Sequence, residues 1–126
     1  MRLFVIILLF SLIGTPDAPL FAAPKGKDKT PPIITELSVS AGATEATVSW
    51  TTNEPADSDI KYGITPRTNL NGPTETDLVT QHSLLLTPLI PSTSYDFCVR
   101  SKDEAKNKAE ECGSFSTSSV PPPPPP

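Results

Sequence analysis

Few residues of this 126-residue chain could carry acid–base or nucleophilic chemistry. His82 is the only histidine, and it stands near the start of an alternating run that continues through Leu84 and Leu86. A serine nucleophile needs a base and an orienting carboxylate that converge on it, but the serines here alternate with apolar residues in short runs. The pattern predicts that His82 lies on the surface of a strand. It predicts neither a catalytic site nor a cofactor.

Metal binding is weakly supported by the residues that could provide ligands. Asp57 and Asp59 could contribute carboxylates to calcium, but that ion takes six to eight oxygens, and a solvated strand edge is favoured. Cys98 and Cys112 lack both the further ligands of a zinc site and the Cys-x-x-Cys spacing of a redox motif. No metal site is predicted.

The two cysteines are expected to form a disulfide. If the strands around Tyr95 and Phe115 form a hairpin centred on Ala105, Cys98 faces Cys112. The same register sets Arg100 opposite Glu110 as an ion pair, and cross-strand pairs of this kind stabilise sheets. An oxidising compartment outside the cytoplasm would favour the bond.

Both ends of the chain differ in composition from its middle. Arg2, an apolar run of about eleven residues and a pair of alanines at 22–23 are typical of a secretory signal peptide over residues 1–23, since a membrane span needs roughly 20 apolar residues. An uncleaved anchor is the alternative. Residues 24–30 are predicted to be a linker. Residues 119–126 end in six prolines, which favour an extended spacer or, alternatively, a ligand for an aromatic-lined groove.

The segment 31–118 is long enough for one small domain. The formal net charge of −4 excludes the basic footprint of nucleic-acid-binding proteins. Short alternating runs separated by Pro, Asn and Gly predict an all-β fold, a six- to seven-stranded antiparallel immunoglobulin-like sandwich. A helix is an option only at Asp103–Glu111.

Alternation also predicts which residues face the core. Trp50, Tyr62, Leu89 and Tyr95 are expected to be structural, the last two at a proline-bounded corner between strands. Loops are predicted at Asn53–Ala56 and Thr65–Asp77. The predicted strands are residues 31–40, 46–52, 58–63, 81–86, 95–100 and 113–117.

Three stretches resemble the fibronectin type III family. The run Thr47–Gly63 is similar to its second and third strands, and Leu89–Tyr95 matches its Leu-x-Pro-x-Thr-x-Tyr corner. Asp103–Asn107 resembles its Asp-x-x-Gly-Asn hairpin tip, with Lys106 where glycine is usual. A lysine resists positive φ, so this departure bears directly on the conformation of the tip.

The form Trp-Thr-Thr-x-Glu-Pro-Ala, with His82 before Leu84, is also similar to the sandwich domain that precedes the catalytic domain of purple acid phosphatases. The dinuclear metal centre of that superfamily needs several His, Asp and Asn ligands and a tyrosine. One histidine cannot supply it, so the resemblance implies an accessory domain and no phosphatase activity in this chain.

Together these observations predict an exported, non-catalytic fibronectin type III-like module, secreted or otherwise extracytoplasmic, that acts as a spacer or binds a protein or a polysaccharide. The alternative is an accessory N-terminal domain separated from a secreted hydrolase of the purple acid phosphatase type. Expected partners are an extracellular protein or a cell-envelope polysaccharide, with no nucleic acid. A monomer without a membrane span after signal cleavage is expected. The candidate binding-loop residues are Asn53, Asp57, Lys102, Lys106 and Lys108.

Overall fold

The computed structural model describes residues 27–126, so the predicted signal peptide lies outside the described residues. Every regular element in the described part is a β-strand, as the alternating runs predict. No helix in this part is both long and apolar enough to cross a membrane. The strands are β1 Ile34–Ala41, β2 Ala46–Ile64, β3 Leu70–Leu86, β4 Ser94–Lys102 and β5 Lys108–Ser116.

Two of the strands, β2 and β3, double back on themselves. The first half of β2 pairs with β1 and with residues 81–86 of β3, and its second half pairs with β4 and with residues 70–79. All of these pairings are antiparallel, and both ends of β2 lie beside the corner between β3 and β4, because Ala46 pairs with Leu86 and Ile64 pairs with Tyr95. The direction of β2 therefore reverses between the halves. The register shifts between Thr51 and Ser58 mark that reversal. The reversal coincides with the predicted loop Asn53–Ala56. The last residue of that range, Ala56, nevertheless belongs to the sheet, because it pairs with Val79.

These reversals produce the two layers of an antiparallel sandwich. One layer contains β1, residues 46–52 and residues 81–86, and the other contains residues 56–64 and 70–79 with β4 and β5. If each half of β2 and β3 is counted separately, the five strands provide seven segments. The predicted all-β immunoglobulin-like class is therefore confirmed, although two pairs of segments run on as single strands.

Two boundary predictions differ from the structure. Residues 70–77, predicted to be a loop, form an edge segment of β3 that is exposed almost throughout. An exposed edge has no buried face and hence no apolar alternation, and this explains why the sequence pattern does not reveal it. The helical option at Asp103–Glu111 is wrong, because residues 103–107 form a turn and β5 begins at Lys108.

The core lies between the layers and is filled by the alternating residues of the central strands. Trp50, Ile60, Phe97 and Val99 are almost fully buried. The partly buried side chains of Tyr62 and Phe115 pack against this core. Burial of large apolar and aromatic side chains provides most of the driving force for folding in a domain of this size.

The corner before β4 ties the two layers together. The hydroxyl of Tyr95, which is buried, accepts a hydrogen bond from the backbone N–H of Ile90 at 2.9 Å. Leu89, also buried, donates its N–H to the carbonyl of Thr44 at 2.7 Å. Tyr95 thereby links β4 to the segment that follows β3, as expected of a tyrosine corner.

Candidate functional site

One end of the sandwich, which we call the N-terminal pole and define as residues 27–33, 53–57 and 103–107, contains Asn53, Asp57 and Lys106 of the candidate binding residues, and Lys102 and Lys108 flank it at the ends of β4 and β5. The side chain of Asn53 accepts a hydrogen bond from the N–H of Ile33 at 2.6 Å, and its own N–H donates to the carbonyl of Ile33 at 3.2 Å. The side-chain amide of Asn107 donates to the carbonyl of Asp28 at 3.0 Å. Asn53 therefore fixes the incoming chain to the domain.

Asp57 and Asp59, weighed above as calcium ligands, are used within the sheet. Asp57 accepts the backbone N–H of Lys102 at 2.8 Å and lies 3.7 Å from its ammonium group. Asp59 forms an ion pair with Arg100 and accepts the hydroxyl of Thr74 at 3.2 Å. Both carboxylates thus have protein partners, and their arrangement is that of cross-strand ion pairs.

Lys102 and Lys108 face each other across β4 and β5. Like charges directly opposite each other repel, and Asp57 offsets this repulsion only on the Lys102 side. With Asp57, Asp59 and Arg100, the two lysines line a shallow cleft of about 220 Å³. The cleft carries charges of both signs. Lys106 lies outside it, at the tip of the 103–107 turn.

The tip adopts the glycine-type conformation that its sequence resists. Lys106 has φ of 76°, and its N–H donates to the carbonyl of Asp103 at 3.0 Å. The side chain of Asp103 accepts the N–H and the side-chain amide of Asn107, both at 2.9 Å. These bonds hold the turn, and the lysine backbone is forced into the left-handed region.

Lys106→Gly is expected to stabilise the domain by about 1 kcal/mol, because glycine adopts positive φ without a Cβ clash. Urea unfolding of the two proteins followed by tryptophan fluorescence measures the difference. Lys106→Ala is the matched control, since it removes the charge but keeps the Cβ, and it should change stability little. Equal stabilisation by both substitutions would show that charge is the cause.

Three carboxylates converge at the N-terminal pole, those of Asp28, Glu54 and Asp103, with oxygens within 4.8 Å of one another. Burial, and then the negative charges of Asp28 and Asp103, raise the pKa of Glu54. Burial also acts to raise the pKa of Asp103, but hydrogen bonds from Asn107 and from the turn backbone outweigh it, and the net pKa is lowered. Asp103 therefore stays ionised, and its oxygens are already committed to the turn.

A wider cleft of about 440 Å³ lies beside these carboxylates. The incoming chain provides one wall of this cleft, and the β2 reversal, β3 and the 103–107 turn provide the others. The lining residues are Lys27, Asp28, Glu54, Pro55, Leu78, Asp103, Glu104 and Ala105.

His82 is buried, and the prediction of a surface strand residue is wrong. Only 3 % of its surface is exposed, and its ring stacks on that of Trp50 with the centroids 4.9 Å apart. Its Nε2 lies 2.9 Å from Thr52 Oγ1 and its Nδ1 lies 2.7 Å from Ser58 Oγ. The two hydroxyl groups lie on opposite sides of the β2 reversal, and the imidazole fills the space between them.

The disulfide joins Cys98 and Cys112, which are register partners on the outer face of β4 and β5. Arg100 does face Glu110 in register, but the predicted ion pair between them is wrong. Arg100 pairs with Asp59 instead. Asp59 is its register partner on the other side, on β2, and alternation alone does not reveal that neighbour.

The opposite end of the sandwich, the C-terminal pole, comprises residues 42–45, 88–93 and 117–118. Ser118 donates its N–H to Gly42 at 3.0 Å and accepts the N–H of Ser92 at 3.1 Å. The hydroxyl of Thr117, a buried residue, donates to the carbonyl of Ile90 at 2.6 Å and accepts the N–H of Thr93 at 3.0 Å. The chain is thus held up to Ser118, and the prolines that follow are exposed.

Sequence analysis did not identify three buried polar residues that bind the side chains of Trp50 and His82. Ser101 is buried and accepts the indole N–H of Trp50 at 2.9 Å, and Thr52 and Ser58 bind His82. All three occupy inward positions of the alternating strands. If the two-residue alternation of β2 and β4 is continued through their polar residues, it predicts that these three side chains face the core.

Comparison with known proteins gives one family match. The sequence profile described as "Purple acid Phosphatase, N-terminal domain" matches residues 32–117. No curated protein matches the chain.

Three solved structures share the fold. A computationally redesigned β-sandwich protein superposes with a TM-score of 0.54 at 21% identity, covering 73% of this chain and 98% of that one. A fibronectin type III domain of the human KIAA0970 protein gives 0.54 at 16% identity, covering 73% and 77%. The third fibronectin III domain of the human KIAA0343 protein gives 0.50 at 16% identity, covering 82% and 97%. Identities this low establish the fibronectin type III fold alone.

Proposed function

The chain belongs to the purple acid phosphatase N-terminal domain family, and from this premise we propose that it is an exported, non-catalytic accessory module that acts as a spacer. The disulfide supports export, because such bonds persist in oxidising compartments. The resemblance to fibronectin type III domains supports a scaffold, since that fold carries any specific function in its loops and neighbours.

The observation that supports the spacer role best is the placement of the two attachments. The chain is fixed at the N-terminal pole through Ile33 and Asn53 and at the C-terminal pole through Ser118 and Gly42. β1, eight residues long, runs from one pole to the other and spans about 26 Å at roughly 3.3 Å per residue. Six prolines could add about 19 Å of stiff, extended chain.

The family match supports a second candidate role. A domain of this type could lie beside the catalytic domain of a metallophosphatase and position it. This chain does not provide the dinuclear centre, because His82 is its only histidine and both ring nitrogens of His82 have hydroxyl partners. A spacer that separates an anchor from a catalytic domain would be consistent with both proposed roles.

A hydrolysis assay tests the non-catalytic assignment. The purified chain, mixed with an aryl phosphate and with iron, zinc or manganese ions, should release phosphate no faster than the metal alone. His82→Gln is the matched control. Turnover by the wild-type chain that disappears in this variant would overturn the assignment.

A binding role is tested separately with isolated cell-envelope fractions. A pure spacer should not be retained on them at micromolar concentration. Retention that is lost when Lys102 and Lys108 are changed to glutamine, but not when Lys106 is, would instead identify the cleft at β4 and β5 as a binding surface.

A further inference from the structure

The buried imidazole of His82 has two hydroxyl neighbours whose hydrogens can be assigned. Thr52 has one hydroxyl hydrogen, and its Oγ1 lies 2.7 Å from the carbonyl oxygen of Glu54, a group that can only accept. Thr52 Oγ1 must then accept from Nε2–H of His82. Nδ1 is left without a hydrogen and accepts the hydroxyl hydrogen of Ser58. The arrangement is complete only while the ring is neutral.

Protonation of His82 would break this arrangement at Ser58. Both ring nitrogens of an imidazolium are donors, so Ser58 would have to turn its hydroxyl hydrogen away from Nδ1. No other hydrogen-bond partner of the Ser58 hydroxyl is found among the described residues. The new charge would also lie in a buried site, where charge is costly. The local structure therefore favours the neutral ring.

The charged groups around His82 do not reverse this preference. Burial lowers the pKa of His82 below its ordinary value of 6.5, and the negative charge of Asp57 opposes the shift only in part. Asp57 already binds the backbone N–H and ammonium of Lys102. Glu36 of β1, near His82 in a surface cleft, accepts the hydroxyl of Thr51. Protonation of Glu54 has the opposite effect on stability, because burial and then the negative charges of Asp28 and Asp103 raise its pKa.

The bonds made by Thr52 connect the imidazole to the N-terminal attachment. Thr52 holds the carbonyl of Glu54, and Asn53, which lies between them, holds Ile33 by two hydrogen bonds. Thr52 stays bonded to Nε2–H when the ring is charged, so a charged ring that moves out of its buried site and away from Ser58 takes Thr52, and the neighbouring Asn53, with it. We propose that His82 is an acid-sensitive latch, whose protonation loosens the 52–54 reversal and releases the N-terminal segment while the core remains folded. This goes beyond the spacer role and would hold whether or not the chain acts as one.

The direction of the pH dependence follows from the lowered pKa of His82. The more open state, with the ordinary pKa of 6.5, takes up the proton first as pH falls. The latch is therefore fully closed above pH 6.5 and weakens as the pH falls through 6.5 towards the pKa of the closed state. Below that second pKa no further weakening comes from His82.

The experiment uses the only tryptophan and the only histidine of the chain. Because an imidazolium stacked on an indole quenches it, Trp50 fluorescence should show an inflection below pH 6.5, before acid unfolding. Over the same range, the exchange protection of the Asn53 amide, corrected for intrinsic rates, should fall by up to about tenfold per pH unit. The Val99 amide in the core should keep its protection.

His82→Gln should abolish the fluorescence inflection and keep the titration of Glu54. If that variant does not fold, Ser58→Ala serves instead. It removes the hydrogen bond that favours the neutral ring, so the inflection should move to higher pH. The latch is overturned if Trp50 shows no inflection before global unfolding, if the available variant leaves the inflection unchanged, or if Asn53 and Val99 lose protection together.

Discussion

Trp50→Ala is expected to lower the free energy of unfolding by about 3–5 kcal/mol, the range for removal of a large buried aromatic side chain. Trp50 is 2 % exposed, its ring stacks on His82, and its indole N–H donates to Ser101. The substitution opens a cavity between the layers and leaves the Ser101 hydroxyl without its donor. Because small domains are stable by only about 5–15 kcal/mol, this loss removes a large share of the stability, and the variant should unfold at a much lower denaturant concentration than the wild-type protein.

Chemical denaturation followed by circular dichroism measures this loss. Trp50→Phe is the matched control, because it keeps an aromatic ring against His82 but removes the N–H and part of the volume. Its cost should be clearly smaller than that of alanine. If alanine and phenylalanine cost the same, the hydrogen bond to Ser101, and not packing, would be the main contribution of Trp50.

The double substitution Cys98→Ser and Cys112→Ser is expected to cost about 3 kcal/mol, the chain-entropy value for a closed loop of roughly 15 residues. The cysteines lie on the outer face of β4 and β5, so serine fits both positions without disturbing the core. The loss should therefore come from the unfolded chain and leave the folded structure intact.

Urea unfolding of the oxidised protein, the reduced protein and the double variant provides the measurement. Reduction and substitution should destabilise to a similar extent, because both open the same loop. A loss below about 1 kcal/mol in both would contradict the chain-entropy argument for this bond.

The register between β4 and β5 could be predicted because the cysteines, Tyr95 and Phe115 all agree with one alignment. The corner could be predicted because Leu89, the prolines and Tyr95 form a local motif. Side-chain partners on strands that are distant in the sequence could not be predicted in this way. Arg100 has Glu110 on one side and Asp59 on the other, and the sequence does not show which carboxylate it binds.

The burial of His82 was missed for a related reason. A polar residue is expected inside only when its partners are known. Here the partners, Thr52 and Ser58, come from the two halves of β2. They converge only because the strand reverses between them. The exposed edge segment 70–79 was missed because it buries no face, and its neighbour in the sheet is identified only by hydrogen bonds.

The central claim is that the domain holds its two attachments apart at opposite poles, and the distance between spin labels at Lys29→Cys and Ser119→Cys tests it most directly. With the native disulfide intact, a narrow distribution on the order of 35 Å is expected, from the length of β1 and the short segments beyond its ends. A broad distribution centred on about 50 Å, as for a flexible chain of roughly 90 residues, would contradict the claim. So would a short distance with both labels at the same pole.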